Sequence, residues 1–139
     1  MTSAYLDASC IIYLIEGDSE LRAAVSLRLE SVRGDPEGTL LTSRLSLLEC
    51  RTKPLREHDA ATLATYDAFF GASRLVIVEL SSAVVDRATE IRARYGLKTA
   101  DALHVATAVE AGADVFVTGD EAIKRCSEVA VELVLPTRL

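Results

Sequence analysis

Four carboxylates occupy positions where acidic side chains could act together. Asp7 and Asp120 each follow a short apolar segment that is predicted as a strand. Asp101 lies in the first turn of a predicted helix, and Glu49 lies within another. Because ligands of open α/β sheets gather at the carboxyl ends of the strands, we expect all four acids at that end of the sheet.

Such a grouping predicts a bound cation. Two carboxylates about 4 Å apart repel by about 4 kcal/mol at an effective dielectric near 20, so a cluster requires protons or cations. The ligands would all be oxygen atoms, with no His or Cys placed to complete a zinc tetrahedron, which favours Mg²⁺ or Mn²⁺. These ions can deprotonate a water and orient it for in-line attack, so hydrolysis of a phosphodiester is the chemistry indicated.

Each acid also has a purely structural interpretation. Asp7 and Asp120 are suited to capping helix N-termini, and the helix dipole favours an acid such as Asp101 in a first turn. Glu49 would then be an exposed helix residue. For any single position this interpretation is the commoner one, so only the joint placement of the four favours a site.

The elements that must position these acids alternate along the chain. Strands are predicted at residues 3–7, 39–42, 75–80, 114–117 and 131–135, with 75–80 as the clearest buried strand. Helices are predicted to follow Asp7, to start at Asp18 or Ser19, to run from Ser43 until Pro54, and to cover 59–70, 82–94 and 100–111, the last capped by Thr99. This alternation predicts an α/β fold, a largely parallel sheet with helices on both faces.

Length and composition limit the classes of protein. The chain has 139 residues, half of them apolar, which fits one domain spanning 1–139. Three separated Cys residues without a C-x-x-C pair favour a reducing cytoplasm, and we expect no membrane association because no apolar run approaches about 20 residues. The net charge of −6 counts against broad attraction to nucleic acid, unless bound cations or a basic partner offset it.

The acids lie within an ordered set of short motifs. These are Tyr5-Leu-Asp-Ala-Ser9, Thr42-Ser-Arg-Leu-Ser-Leu-Leu-Glu49, Thr99-Ala-Asp-Ala-Leu-His-Val-Ala-Thr-Ala108 and Val117-Thr-Gly-Asp120. The set resembles the PIN domain over nearly the whole chain, and its compact form is similar to the VapC toxins of toxin–antitoxin pairs. No single motif is specific, but their order is.

The resemblance implies a three-layer α/β/α fold, Mg²⁺- or Mn²⁺-dependent cleavage of RNA, a homodimer, and inhibition by an antitoxin protein. By position, Asp7, Glu49 and Asp101 would surround a first metal ion, and Asp120 would complete the site or hold a second ion. Ser9 and Thr118 would offer hydroxyls to metal-bound water or to a carboxylate. Gly119 stands where many members carry Asn, which leaves the substrate preference open.

Other polar residues near these motifs carry open alternatives. His104 lies one helical turn beyond Asp101 and could be a general base, but a partly buried histidine bound to a backbone carbonyl is favoured. Two basic runs could contact RNA phosphates or an antitoxin, or form solvated faces. They comprise Arg51, Lys53 and Arg56, and Arg92, Arg94 and Lys98.

Three other functions compete with the nuclease. A phosphoacceptor signalling domain would need an acidic neighbour for Asp7 and a Lys after the last strand, and the sequence has neither. A phosphatase with Asp7 as nucleophile would need a second Asp where Ser9 stands. A PIN-like chain that binds RNA or a partner without cutting is a minor alternative, because all four acids are present.

Overall fold

The computed structural model describes residues 2–134, which are built around a five-stranded sheet. The strands are β1 (Ser3–Leu6), β2 (Thr39–Ser43), β3 (Leu75–Val78), β4 (Val115–Thr118) and β5 (Val131–Leu133). Their spatial order is β3-β2-β1-β4-β5, and every neighbouring pair is parallel. The first strand is therefore central, with the strands preceding Glu49 and Asp120 on either side of it.

Seven α-helices within the described range cover the two faces of the sheet. They are α1 (Ala8–Glu16), α2 (Ser19–Arg28), α3 (Glu30–Arg33), α4 (Arg44–Arg56), α5 (Ala60–Phe70), α6 (Ser82–Tyr95) and α7 (Thr99–Glu110), and a 3₁₀ helix follows at Glu121–Arg125. No helix among residues 2–134 is long and apolar enough to cross a membrane.

Two apolar clusters give the layers. Side chains alternate along β1, so Ala4 and Leu6 pack with α1, α2 and α5, whereas Tyr5 packs on the other face with α6 and α7. One core therefore lies on each side of the sheet. The predicted three-layer α/β/α fold with a small parallel sheet is confirmed.

Two N-caps predicted from the sequence are present. The side chain of Asp18 accepts a hydrogen bond from the Leu21 amide, and that of Ser43 accepts one from the Leu45 amide. The cap predicted at Thr99 is wrong, because Lys98 occupies that position and makes no side-chain cap hydrogen bond. Asp101 instead places a negative charge in the first turn of α7, where the helix dipole favours it.

Two further predictions need correction. Helix α4 was expected to stop at Pro54, yet it continues to Arg56 with Pro54 buried inside it. Proline removes one helical hydrogen bond, and only two helical residues follow Pro54, so the helix ends soon after it. The segment 75–80 was predicted as the clearest buried strand, but β3 ends at Val78 and is an edge strand with Val76 46% exposed. Of the last predicted strand, Leu135 lies outside the described residues.

Candidate active site

Asp7 is fixed at the carboxyl end of the central strand. It is 5% exposed and caps α1, with Oδ1 accepting from the Cys10 amide (3.1 Å) and from Ser9 Oγ (2.6 Å). Its Oδ2 accepts from Thr118 Oγ1, at the end of β4, at 2.5 Å. Both hydroxyls that the sequence analysis singled out therefore donate to this carboxylate. Residues of two different elements hold it in one orientation.

Asp120 and Asp101 lie beside it. Asp120 caps the 3₁₀ helix through a hydrogen bond from the Ala122 amide (2.9 Å), and its own amide donates to Thr118 Oγ1 (3.0 Å). Burial raises the pKa of the Asp101 carboxyl, and the negative charges of Asp120 and then Asp7 raise it further. Asp7 and Asp120 are thus close enough for their charges to act on the Asp101 carboxyl.

Glu49 is held by a buried histidine. The carboxylate, 31% exposed at its side chain, accepts from His104 Nε2 at 2.5 Å, while His104 Nδ1 contacts the Tyr5 hydroxyl at 2.7 Å. His104 is buried, and it is bound by two side chains rather than by the backbone carbonyl that was expected. The interpretation of Glu49 as a simple exposed residue is therefore wrong, because it has a buried partner.

The end of β2 is tied to the strand that carries Asp7. Thr42 Oγ1 donates to the Leu6 carbonyl (2.8 Å) and lies 2.7 Å from Ser46 Oγ, and both hydroxyls are buried. Since the Thr42 hydroxyl hydrogen goes to Leu6, Ser46 is the donor in the second bond. Ser46 lies one turn before Glu49 on α4, so these bonds set where that helix starts relative to Asp7.

Gly119 lies directly against an aromatic ring. A Cβ at this position would lie 2.6 Å from Tyr13 Cε2 and 2.8 Å from the Tyr13 hydroxyl oxygen. The ring of Tyr13, on α1, therefore fills the space that a side chain at 119 would need. This contact gives a physical reason for the departure from Asn.

Sequence reasoning gave no role to four residues of this region, namely Tyr5, Tyr13, Thr42 and Ser46. All of them except Tyr13 lie inside the quoted motifs. A polar or hydroxyl-bearing residue within an apolar strand or facing the core is the usual sign of such a role, because buried polar groups need partners.

The acidic side chains are of the type that binds divalent cations, although they do not form a complete metal site in the described residues. Among residues 2–134, no group of three or more His, Cys, Asp or Glu side chains is arranged to hold a metal ion. The acids nevertheless offer the hard oxygen donors that Mg²⁺ and Mn²⁺ prefer. A cation among them would also offset the repulsion that raises the pKa of Asp101.

The basic runs are only partly available to an anionic partner. Arg51 pairs with Asp67 (2.9 Å) and Arg94 with Glu128 (2.7 Å). The remaining cations are exposed and make no ion pair with residues in the described range, and they are Lys53, Arg56, Arg92 and Lys98.

Solved structures share the fold at low sequence identity. A chain of the Rickettsia felis VapBC2 complex, bound to a promoter DNA fragment, has a TM-score of 0.77 and 20% identity, covering 95% of this chain and 98% of that one. A chain of DNA-bound VapBC from Salmonella typhimurium has a TM-score of 0.70 and 20% identity, and the match covers 97% of this chain and 100% of that one. VapC20 of Mycobacterium tuberculosis, described as a toxin cleaving the sarcin–ricin loop, has a TM-score of 0.63 and 19% identity, and the match covers 81% of this chain and 86% of that one.

Sequence comparison gives the family. No curated protein matches the chain. The model of the PIN domain matches residues 4–129, a span that includes Asp7, Glu49, Asp101 and Asp120. The chain belongs to the PIN domain family.

Proposed function

We propose that this protein is a metal-dependent endoribonuclease and the toxin of a toxin–antitoxin pair. Its membership of the PIN domain family supports nuclease chemistry. The observation that carries the proposal is the grouping of acids at the carboxyl end of the sheet, where Thr118 donates to Asp7 and accepts from the Asp120 amide, and where the charges of Asp120 and Asp7 act on Asp101. Such crowding of carboxylates costs stability unless a cation compensates for it, so it is expected at a cation site.

Asp7, Glu49, Asp101 and Asp120 would hold Mg²⁺ or Mn²⁺. When bound, such an ion lowers the pKa of a water and neutralises charge on a phosphodiester. The protein contributes orientation. Asp7 is fixed by Ser9, Cys10 and Thr118, so little freedom remains to be lost on binding.

RNA is the proposed substrate. Arg92 and Lys98 are exposed just before Asp101, and Arg92 lines a groove together with Thr99 and Leu103. Phosphates beside the acids could be contacted by these cations. The description of VapC20 as cleaving the sarcin–ricin loop, an RNA target, supports the same substrate class for this chain.

An antitoxin and a second copy of the chain are the proposed protein partners, in the cytoplasm. The fold is shared with chains of toxin–antitoxin complexes, including one from Klebsiella pneumoniae, which supports an antitoxin that holds the nuclease inactive. Purification should therefore include a denaturing wash that removes any bound antitoxin before refolding and assay.

The test is cleavage of labelled total RNA in Mg²⁺, Mn²⁺ or EDTA. Wild type is expected to cut with either ion and not in EDTA, and Asp7→Asn and Asp101→Asn are expected to lose activity by at least about 100-fold, as for loss of a group that stabilises a transition state. Asp18→Asn is the matched control, because Asp18 caps α2 by the same hydrogen bond that Asp7 makes at α1.

Asparagine caps a helix about as well as aspartate, so this set separates lost charge from lost capping. Cleavage that persists in both site variants, or a refolded wild type that cuts nothing in either ion, would overturn the proposal. The second result would leave a PIN-like chain that binds RNA or a partner without cutting.

A further inference from the structure

A series of two side-chain hydrogen bonds connects Tyr5, on the sheet, through His104 to Glu49. The Tyr5 hydroxyl lies 2.7 Å from His104 Nδ1, and His104 Nε2 lies 2.5 Å from Glu49 Oε1. Tyr5 is 0% exposed and His104 is 2% exposed. The imidazole therefore cannot reach a substrate, and both of its nitrogens already have partners.

The direction of the last hydrogen bond follows from the partners. A carboxylate only accepts, so the hydrogen between the ring and Glu49 is carried by Nε2. In the neutral ring Nδ1 then accepts from the Tyr5 hydroxyl, which fixes the tautomer. Tyr5 is itself held by stacking on Phe116, with centroids 5.0 Å apart and planes at 20°.

These hydrogen bonds join three elements, two of which contain one of the acids while the third ends immediately before one. Tyr5 lies on β1, which leads directly to Asp7. His104 lies on α7 one turn after Asp101, and Glu49 lies on α4. A buried contact that spans all three elements can set the distance of Glu49 from the other acids.

We infer that His104, anchored by Tyr5, is a positioning residue that orients the Glu49 carboxylate for cation binding. The inference rests on the proposed function, because it gives His104 a role only if the acids hold a cation. A histidine or other group that hydrogen-bonds a metal-binding side chain typically contributes 10- to 100-fold to metal affinity or activity.

The experiment measures Mn²⁺ affinity of the purified chain without RNA, by titration with detection of free Mn²⁺ by electron paramagnetic resonance. His104→Leu removes the donor to Glu49 and is expected to weaken Mn²⁺ binding by about 10- to 100-fold. His104→Gln retains an N–H donor and should recover much of that affinity. Tyr5→Phe keeps the ring stack and should give a smaller loss in the same direction.

A matched control and a double variant separate positioning from general stability. Tyr66 is also fully buried, and its hydroxyl donates to Glu16, which is not one of the four acids. Tyr66→Phe should therefore leave Mn²⁺ affinity unchanged even if it lowers the melting temperature. In a Glu49→Gln background, His104→Leu should cause no further loss, because the residue through which it acts is already altered.

The outcomes distinguish the two proposals. Wild type that fails to bind Mn²⁺ would overturn the proposed function and this inference with it. Wild type that binds, with Tyr5→Phe and the folded His104 variants binding equally well, would overturn the inference alone. The inference would also be overturned if His104→Leu weakened Mn²⁺ binding in the Glu49→Gln background as much as in wild type. The same holds if Tyr66→Phe weakened Mn²⁺ binding as much as His104→Leu does.

Discussion

At the scale of single residues, Asp7 combines a structural and a chemical role in one carboxylate. It caps α1 through the Cys10 amide, and the hydroxyls of Ser9 and Thr118 complete its surroundings. The capping interpretation and the site interpretation are therefore compatible. They differ only in whether the negative charge matters, which the Asp7→Asn and Asp18→Asn pair tests.

Asp101→Asn should stabilise the metal-free protein at neutral pH. The pKa of Asp101 is raised in the folded chain, first by burial and then by Asp120 and Asp7. Its contribution to stability is thus present below the unfolded pKa and is lost as pH rises through the folded pKa. At pH 7 the ionised carboxylate is unfavourable, and Asn removes that cost.

Because Asp101 is partly exposed, solvent screening limits the gain to about 1 kcal/mol, or roughly 3 to 5 °C in melting temperature. Thermal unfolding in EDTA at pH 7 and at pH 4 measures it. The difference should shrink as the pH falls, because a larger fraction of the wild-type carboxyl is then protonated. A variant less stable than wild type at pH 7 would contradict the electrostatic account.

Gly119→Ala should destabilise the chain through Tyr13. The new Cβ would lie 2.6 Å from the ring, so the ring must move from its position on α1. Overpacking of this kind costs about 1 to 3 kcal/mol. Urea unfolding measures it, and Tyr13→Leu should recover part of the loss in the double variant. Equal losses with and without the tyrosine would show that the ring is not the cause.

At the scale of elements, local patterns predicted most of the fold. The strand before Asp7, the caps Asp18 and Ser43, and the alternation of strands and helices depend on residues close in sequence. The burial of β3 does not depend on nearby residues alone, because burial also depends on strand order and β3 lies at the edge of the sheet. Apolar runs alone do not distinguish an edge strand from a central one.

The candidate site was predictable to a similar depth. Acids that follow strands, such as Asp7 and Asp120, can be placed at one end of a parallel sheet from the sequence alone. The two partners of His104 could not be predicted, since Tyr5 lies 99 residues away in the sequence and Glu49 lies 55 away. Contacts between residues this far apart are set by packing of the elements.

The connection between α6 and α7 should contribute to RNA binding. Arg92 and Lys98 are exposed there, close in sequence to Asp101. Replacing either by Ala should weaken RNA binding similarly for different sequences and reduce the magnitude of the slope of log affinity against log salt by about 0.7 to 1. Arg33→Ala is the control, because Arg33 is exposed before β2, at the opposite end of the strands.

Filter binding at several NaCl concentrations, with the catalytically impaired Asp7→Asn chain to prevent cleavage, measures these slopes. If Arg33→Ala lowers the slope as much as Lys98→Ala does, the binding is a general charge effect and the proposed phosphate contact is wrong.

At the scale of the whole molecule, the net charge of −6 opposes the binding of the proposed substrate, which is a polyanion. Part of the acidity is concentrated at the carboxyl end of the sheet, where Asp7, Asp101 and Asp120 interact. A cation held there would reduce the repulsion at the one place where a phosphate must approach. Cation binding and RNA binding should therefore be coupled.

The same concentration of charge predicts that divalent cations stabilise the fold. A ligand that binds only the native state adds about 2.7 kcal/mol to the free energy of unfolding when its concentration is 100 times its dissociation constant. Differential scanning fluorimetry with MgCl₂ or MnCl₂ measures the resulting shift in melting temperature. NaCl at matched ionic strength controls for general screening of the net charge. Asp101→Asn should be more stable than wild type in EDTA but gain less from Mn²⁺, so the two melting temperatures should converge or cross as Mn²⁺ is added. Parallel curves for the two proteins would mean that the cation acts elsewhere, whereas convergence would show that the carboxylate that weakens the metal-free fold is one that the cation uses.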